Sequence, residues 1–196
     1  MAFYTIEGID GSGKSTVAQT LKKRRKLVFL TQEPTVSPYG ELIRKNIAHT
    51  NSNALTNFFL FMADRMYHID DIIRPMDVPG RIVISDRYFD SSRAYQSVEF
   101  VEGGYFDSVA DARAFIDQTI EPWEYEPEMT FYLNISVDTA VERMAGDEKY
   151  EQRAFLETVK EQYDMMANEF DRVVTIDAER PLDDVVDDIN GYVHGF

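Results

Sequence analysis

Short apolar runs alternate with amphipathic stretches along the chain. Residues 3–7 (FYTIE) form a β-prone run that meets a glycine-rich turn, and from Lys14 to about Arg24 Val17, Ala18 and Leu21 recur at helical spacing. Residues 27–31 (LVFLT) predict a second strand, ended by Glu33 and Pro34. A long helical pattern then runs from Leu55 to about Arg74 and stops at Pro75. Three further strands are predicted at 81–85 (RIVIS), 129–135 (MTFYLNI) and 173–176 (VVTI), with helices at 111–120, at 182–192 and in the intervening stretches. RIVIS is apolar enough to be buried on both faces. Strands alternating with helices predict an α/β fold, a five-stranded parallel sheet with helices on both faces. No repeat, low-complexity tract or Gly/Ser-rich linker divides residues 1–196, so one domain is expected.

Composition narrows the function classes. The 196 residues carry 44% hydrophobic side chains, enough for one sizeable core, and no cysteine, which excludes disulfides, thiolate metal sites and cysteine nucleophiles. The longest strongly apolar stretch, residues 58–63, falls far short of the roughly 20 residues a spanning helix needs. The N-terminal MAFYTIEG lacks the features of a signal peptide, so a cytoplasmic protein without a membrane partner is expected. With 35 acidic against 20 basic residues the net charge is −15, and five of the basic residues sit in the single run 22–26. That run falls at a helix C-terminus, where positive charge complements the helix dipole. The remaining surface repels a phosphate backbone, so no nucleic-acid partner is expected. Acidity of this density suits a halophilic protein, because high salt screens the self-repulsion; an ordinary acidic enzyme is the alternative.

The glycine-rich turn carries the strongest chemistry. Gly8-Ile9-Asp10-Gly11-Ser12-Gly13-Lys14-Ser15 fits G-x-x-x-x-G-K-[ST], between a strand and a helix and followed by Thr16. Its glycines let backbone N–H groups converge on phosphate oxygens at a helix N-terminus; Lys14 would reach the outer phosphates and Ser15 would ligate Mg²⁺. The expected fold is therefore that of a P-loop NTPase. Asp77-Val78-Pro79-Gly80 fits the D-x-x-G of a GTPase switch but precedes a strand instead of following one, and no N-K-x-D motif exists. Asp86 and Arg87, at the C-terminal end of RIVIS, lie where ligands bind in open parallel sheets. Asp86 could hold the Mg²⁺ hydration shell, and Arg87 could clamp a second phosphate through its bidentate fork.

Taken in order, IEGIDGSGKST at 6–16, EPT at 33–35, FLFMADRMYH at 59–68, SDRYFDSSRAYQ at 85–96, PEMTFYLNIS at 127–136 and TIDAERPLDDV at 175–185 resemble the thymidylate kinases. The resemblance covers essentially the whole chain and looks closest to the halophilic archaeal or viral branch. It implies phosphoryl transfer from ATP to dTMP with Mg²⁺ for dTTP synthesis, and a homodimer. It implies that Asp10 accepts from the 3′-hydroxyl of dTMP, that Phe61 stacks on thymine and that Arg65 bonds a base carbonyl. Arg87 would bind the dTMP phosphate, Ser92 and Tyr95 would line the base and the 2′ edge of the sugar, and Glu33 would belong to the same site. Arg44 would add a phosphate contact or form a surface ion pair.

The resemblance breaks at two places. The phosphate loop has no arginine, so a short lid at about 143–153 should supply the cation; Arg143 is expected near the adenine or phosphates, and Lys149 or Arg153 at the transition state. Gln32 stands where the family usually has arginine. Arg180, in the stretch after the last strand, resembles an adenine-contacting position. His49, His68 and His194 have no metal-ligand spacing and receive no role. The remaining alternatives are another nucleoside or nucleotide kinase, since few residues choose the base, and a catalytically impaired nucleotide-binding protein.

Overall fold

A computed structural model describes residues 2–47, 53–76, 78–144 and 151–193. Five parallel strands, β1 Ala2–Glu7, β2 Val28–Gln32, β3 Ile82–Asp86, β4 Met129–Asn134 and β5 Val173–Asp177, form one sheet in the order β2-β3-β1-β4-β5. Each strand lies within one or two residues of its expected place. Period-two alternation separates the two faces. Tyr4, Ile6, Ile82, Ile84, Phe131 and Leu133 pack with Val17 and Leu21 of α1 (Lys14–Arg24) and Val185 and Ile189 of α9 (Leu182–Tyr192). Phe3 and Val83 pack with Phe58 and Met62 of α3 (Ala54–Tyr67) and Ile116 of α6 (Val109–Ile120). β3 is buried along its whole length, apolar over Ile82–Ile84 and ending in the buried polar residues Ser85 and Asp86.

The predicted helix from Leu55 to Arg74 is regular only as far as Tyr67; it widens into a π turn at His68–Ile73 and tightens at Arg74–Met76. The widening begins where the His68 ring is held from outside the helix: Nδ1 lies 2.9 Å from Glu33 Oε1 and Nε2 lies 2.8 Å from Thr31 Oγ1. A second π turn, Ser92–Gln96, joins α4 (Phe89–Ser91) to α5 (Ser97–Glu102). The remaining helices are α2 (Pro38–Ile47), α7 (Val137–Arg143) and α8 (Glu151–Glu169). No helix of the described residues is long and apolar enough to cross a membrane.

β1 sits at the centre, so the loop after it opens at the middle of the sheet's C-terminal edge, between the segments that follow β3 and β4.

Candidate functional site

The phosphate loop is shaped by its glycines. Gly8, Gly11 and Gly13 all have positive φ; at Gly11 (φ 82) an added Cβ would meet the Ala140 carbonyl oxygen at 2.6 Å, so only glycine fits against α7. Gly13 (φ 92) turns the chain into α1, leaving that helix's first N–H groups at the loop. Lys14 Nζ donates to the carbonyls of Gly8 (3.0 Å) and Ile9 (2.8 Å). Burial and the nearby Arg87 guanidinium lower its pKa to about 7, against the pull of Asp10, Asp86 and Glu7.

Beside it, the Ser15 hydroxyl donates to Asp86 Oδ2 at 2.5 Å. Hydroxyl and carboxylate are oxygen donors in contact, which suits Mg²⁺, an ion that keeps several waters and phosphate oxygens. No group of three or more His, Asp or Glu side chains forms an all-protein metal cage among the described residues. A cavity of about 250 Å³ is lined here by Asp10, Gly11, Lys14, Ser15, Gln32, Glu33, Asp86 and Arg87.

A second cavity, about 490 Å³, opens on the other side of Arg87. It brings together Asp10, Glu33, Phe61, Arg65, Arg87, Ser92 and Tyr95, seven of the eight residues expected at the acceptor site. Arg87 is the one described non-glycine residue with positive φ (70). Its guanidinium donates to Asp10 Oδ1 and, at 3.0 Å, to Ser91 Oγ, and lies 4.9 Å from the centroid of the Tyr95 ring. The Tyr95 hydroxyl in turn accepts from the Asp10 backbone N–H at 2.8 Å, tying α5's approach to the phosphate loop.

Arg65, 1% exposed, is fixed from several directions. Nε and Nη2 donate to Glu33 Oε2 (2.8 and 2.6 Å), Nη2 to the Tyr88 carbonyl (3.0 Å) and Nη1 to Ser92 Oγ (2.8 Å), while the guanidinium covers the Phe89 ring at 4.7 Å. Burial pushes the Glu33 pKa up, but Arg65 and His68 outweigh it and hold the carboxyl below its usual range. Four of its five N–H donors are thereby used, leaving one on Nη1, and Arg65 lines the cavity.

Four further residues were missed in the sequence. Gln96 is 2% exposed, lines the cavity, and neither its amide nitrogen nor its amide oxygen has a partner. A buried amide so placed is costly unless a ligand satisfies it. Its spacing from Ser92 and Tyr95 was the available signal. Glu99, one turn further on, also lines the cavity; burial and then Glu102 raise its pKa to about 7. His68 lies one turn beyond Arg65 and braces Glu33. Glu7 is fully buried beneath Arg87, and burial and then Asp90 raise its pKa to about 7 against Arg87, Ser91 and Tyr163. A charged side chain closing the inward series Phe3, Thr5, Glu7 could have flagged it.

The peripheral cations are dispersed. Arg143 Nη1 reaches the Gly11 carbonyl at 3.4 Å, over the phosphate loop. Arg153 pairs with Asp138 and Glu157, Arg180 with Asp188 and Asp177, and Arg44 donates to the Pro34 carbonyl at 3.0 Å; none of the three lines either cavity. Thr16 is exposed, its carbonyl accepting from Thr20. Lys149 lies outside the described residues, as do His49 and His194.

Comparison with known proteins places the chain among relatives of one family. A family model described as thymidylate kinase matches residues 6–189. A probable thymidylate kinase of Halobacterium salinarum is 34% identical over 186 residues, covering 94% of this chain and 91% of the relative. One from Methanoculleus marisnigri is 39% identical over 199 residues, covering 96% and 92%. Among solved structures, the thymidylate kinase from Candida albicans superposes with a TM-score of 0.80 at 25% identity, covering 97% of this chain and 90% of that one.

Proposed function

The chain belongs to the thymidylate kinase family, and from that premise we propose that it transfers the γ-phosphoryl group of ATP to dTMP, giving ADP and dTDP for dTTP synthesis. The observation that carries this reading is the meeting of two cavities. One is bounded by the phosphate loop, the other by Phe61, Arg65 and Gln96, and they share Asp10, Glu33 and Arg87. In-line transfer needs donor and acceptor phosphates placed end to end with cations around the transferring charge, and a shared wall carrying Arg87 provides that junction.

The roles follow from the geometry. Gly8 to Thr16 receive the ATP phosphates, with the Lys14 ammonium drawn from the loop carbonyls onto the phosphate oxygens. Ser15 and Asp86 would hold Mg²⁺, which would supply neutralising positive charge for the transfer. Arg87 holds the acceptor phosphate, and no general base is required because that phosphate is already an anion. Asp10 has Oδ2 free of Arg87 and accepts the 3′-hydroxyl. Phe61 stacks on the base, the spare Arg65 N–H bonds a base carbonyl, and Gln96 offers its amide to the imide edge of thymine. Tyr95, pinned at its hydroxyl by Asp10 and on its face by Arg87, blocks room for a ribose 2′-hydroxyl. Ser92 and Glu33 hold Arg65 in place. Of the lid cations, Arg143 is the one already over the loop; Lys149 or Arg153 would complete the set on lid closure. Arg180 would serve the adenine pocket and Arg44 the acceptor side, each by leaving its present partner.

The same reading takes residues 1–196 as one cytoplasmic, halophilic domain with a lid at 143–153 and no nucleic-acid partner. It makes the protein a homodimer, which the exposed Tyr39, Leu42 and Phe59 on α2 and α3 favour and sedimentation would check.

The deciding measurement is ADP release with Mg·ATP in molar KCl against dTMP, dUMP, dCMP, dGMP, AMP and thymidine. Turnover with dTMP, weaker with dUMP and near absent with purines and thymidine, is expected. Preference for another acceptor would overturn the base-site roles. ATP binding without turnover at any salt would favour an impaired nucleotide-binding protein.

A further inference from the structure

Arg87 cannot hold its place unaided. Its backbone sits at φ 70, which an L-residue adopts only when its surroundings impose it. The imposing group lies underneath. Glu7 Oε1 accepts from the backbone N–H of Tyr88 (2.6 Å) and of Ser91 (3.1 Å), and Oε2 accepts from the hydroxyls of Ser91 (2.6 Å) and Tyr163 (2.8 Å). Ser91 Oγ, while donating to Glu7, accepts from Arg87 Nη1 at 3.0 Å.

Glu7 therefore grips the turn that follows Arg87 and, through one hydroxyl, orients its guanidinium. Four donors fill the lone-pair sites of a carboxylate, an acceptor-only group. The other buried acid nearby, Asp90, is taken by Arg93 and Arg172 and does not compete for these donors. Tyr163 stands on α8, the helix that follows the stretch assigned to the lid, so the same carboxylate joins that helix to the acceptor site.

We propose that Glu7 is a positioning residue for the acceptor phosphate, seating Arg87 through Ser91 and coupling that seat to α8 through Tyr163. This rests on the reading above that Arg87 binds the dTMP phosphate. Gln is nearly isosteric but replaces one acceptor oxygen with an NH₂ donor. Ser91 or Tyr163 must then turn its proton away, and the Ser91 oxygen is no longer oriented for Arg87.

The test is steady-state kinetics of wild type, Glu7→Gln, Arg87→Lys and the double variant in molar KCl, with melting curves alongside. Glu7→Gln is expected to raise KM for dTMP at least tenfold while KM for Mg·ATP stays within threefold. Added to Arg87→Lys, it should cost less than a further threefold, because the two act through one contact. A wild-type KM for dTMP, equal rises in both KM values, or fully multiplicative losses in the double variant would overturn the proposal. Should Glu7→Gln fail to fold, Ser91→Ala and Tyr163→Phe replace it. Each is expected to raise KM for dTMP at least threefold with KM for ATP unchanged, and wild-type values for both would overturn the proposal. A wild-type protein inert toward dTMP would sink the functional reading itself, and this role with it.

Discussion

Replacing Arg65 by Met tests whether the cavity of about 490 Å³ is held by one buried ion pair. The side chain is 1% exposed and faces Glu33 at 2.6 Å, whose own side chain is 2% exposed. Met fills much of the same volume but removes every donor. Glu33 would keep only His68, and the Tyr88 carbonyl would lose its donor from Nη2. Breaking one partner of a buried pair costs about 3–5 kcal/mol, because the remaining charge is stranded. For a domain of this size that corresponds to a Tm lower by about 6–20 °C. The sign of the pH dependence follows from Glu33. Its folded pKa lies below the ordinary value, so its contribution is present above the unfolded pKa of 4.5 and is lost as pH falls through the folded value. Without Arg65 burial dominates and the folded pKa rises. The deficit of the variant should therefore be largest at pH 7–8 and shrink toward pH 4. Adding Glu33→Gln should return at least half of the loss at pH 7, since no charge is then stranded. Thermal melts at pH 4.5 and 7.5 in molar KCl read both effects. A loss under about 1 kcal/mol at pH 7, or a double variant no more stable than the single, would show that the pair does not hold the pocket.

Other perturbations address neighbouring parts of the site. Gln96→Met removes two unpartnered buried atoms, so it should raise stability by about 1–2 kcal/mol while raising KM for dTMP at least tenfold; a loss of both would refute the reading of Gln96 as a ligand-facing amide. Glu99 has its pKa raised from 4.5 to about 7, so the folded state loses stability as pH climbs between those values, and Glu99→Gln should be more stable by about 2–3 kcal/mol above pH 7 and no different below pH 4. Equal melting differences at pH 4 and pH 8 would count against it. Gly11→Ala combines a left-handed backbone costing about 1–2 kcal/mol with a Cβ 2.6 Å from the Ala140 oxygen, and should raise KM for ATP at least tenfold, measured beside an unchanged Kd for dTMP.

How much of this was legible in the sequence depends on the range of the interactions. The phosphate loop is local: eight consecutive residues carry both its shape and its chemistry, and α1 and α9 run over the stretches their periodicity predicts. The strands were legible because burial on one or both faces leaves an apolar record. The π turns at 68–73 and 92–96 were not, since helical spacing reads through a one-residue widening. Seven residues that the resemblance grouped together do line one cavity, yet their connections were hidden. Nothing in the spacing pairs Arg65 with Glu33, 32 residues away, or Glu7 with Tyr163, 156 away. The arginines of the last third show another hidden connection: Arg153 and Arg180 are held by Asp138 and Asp188, pairings that their spacing did not announce.

The placement of β1 also has a consequence for synthesis. β1, made before the other four strands of the sheet, is central, paired on one side with β3, from Ala2 against Ile82, and on the other with β4, from Tyr4 against Met129. Contacts of such long sequence separation form slowly, since the loop must close before they can compensate. The backing of the phosphate loop arrives later still, because Gly8 approaches the Leu133 carbonyl and Gly11 that of Ala140. A nascent chain that ends before Leu133 thus carries the whole glycine-rich motif without the backing that shapes it, and exposes the apolar edges of β1 in the meantime. Synthesis in chain order delivers the glycine-rich loop before the strands and helix that back it.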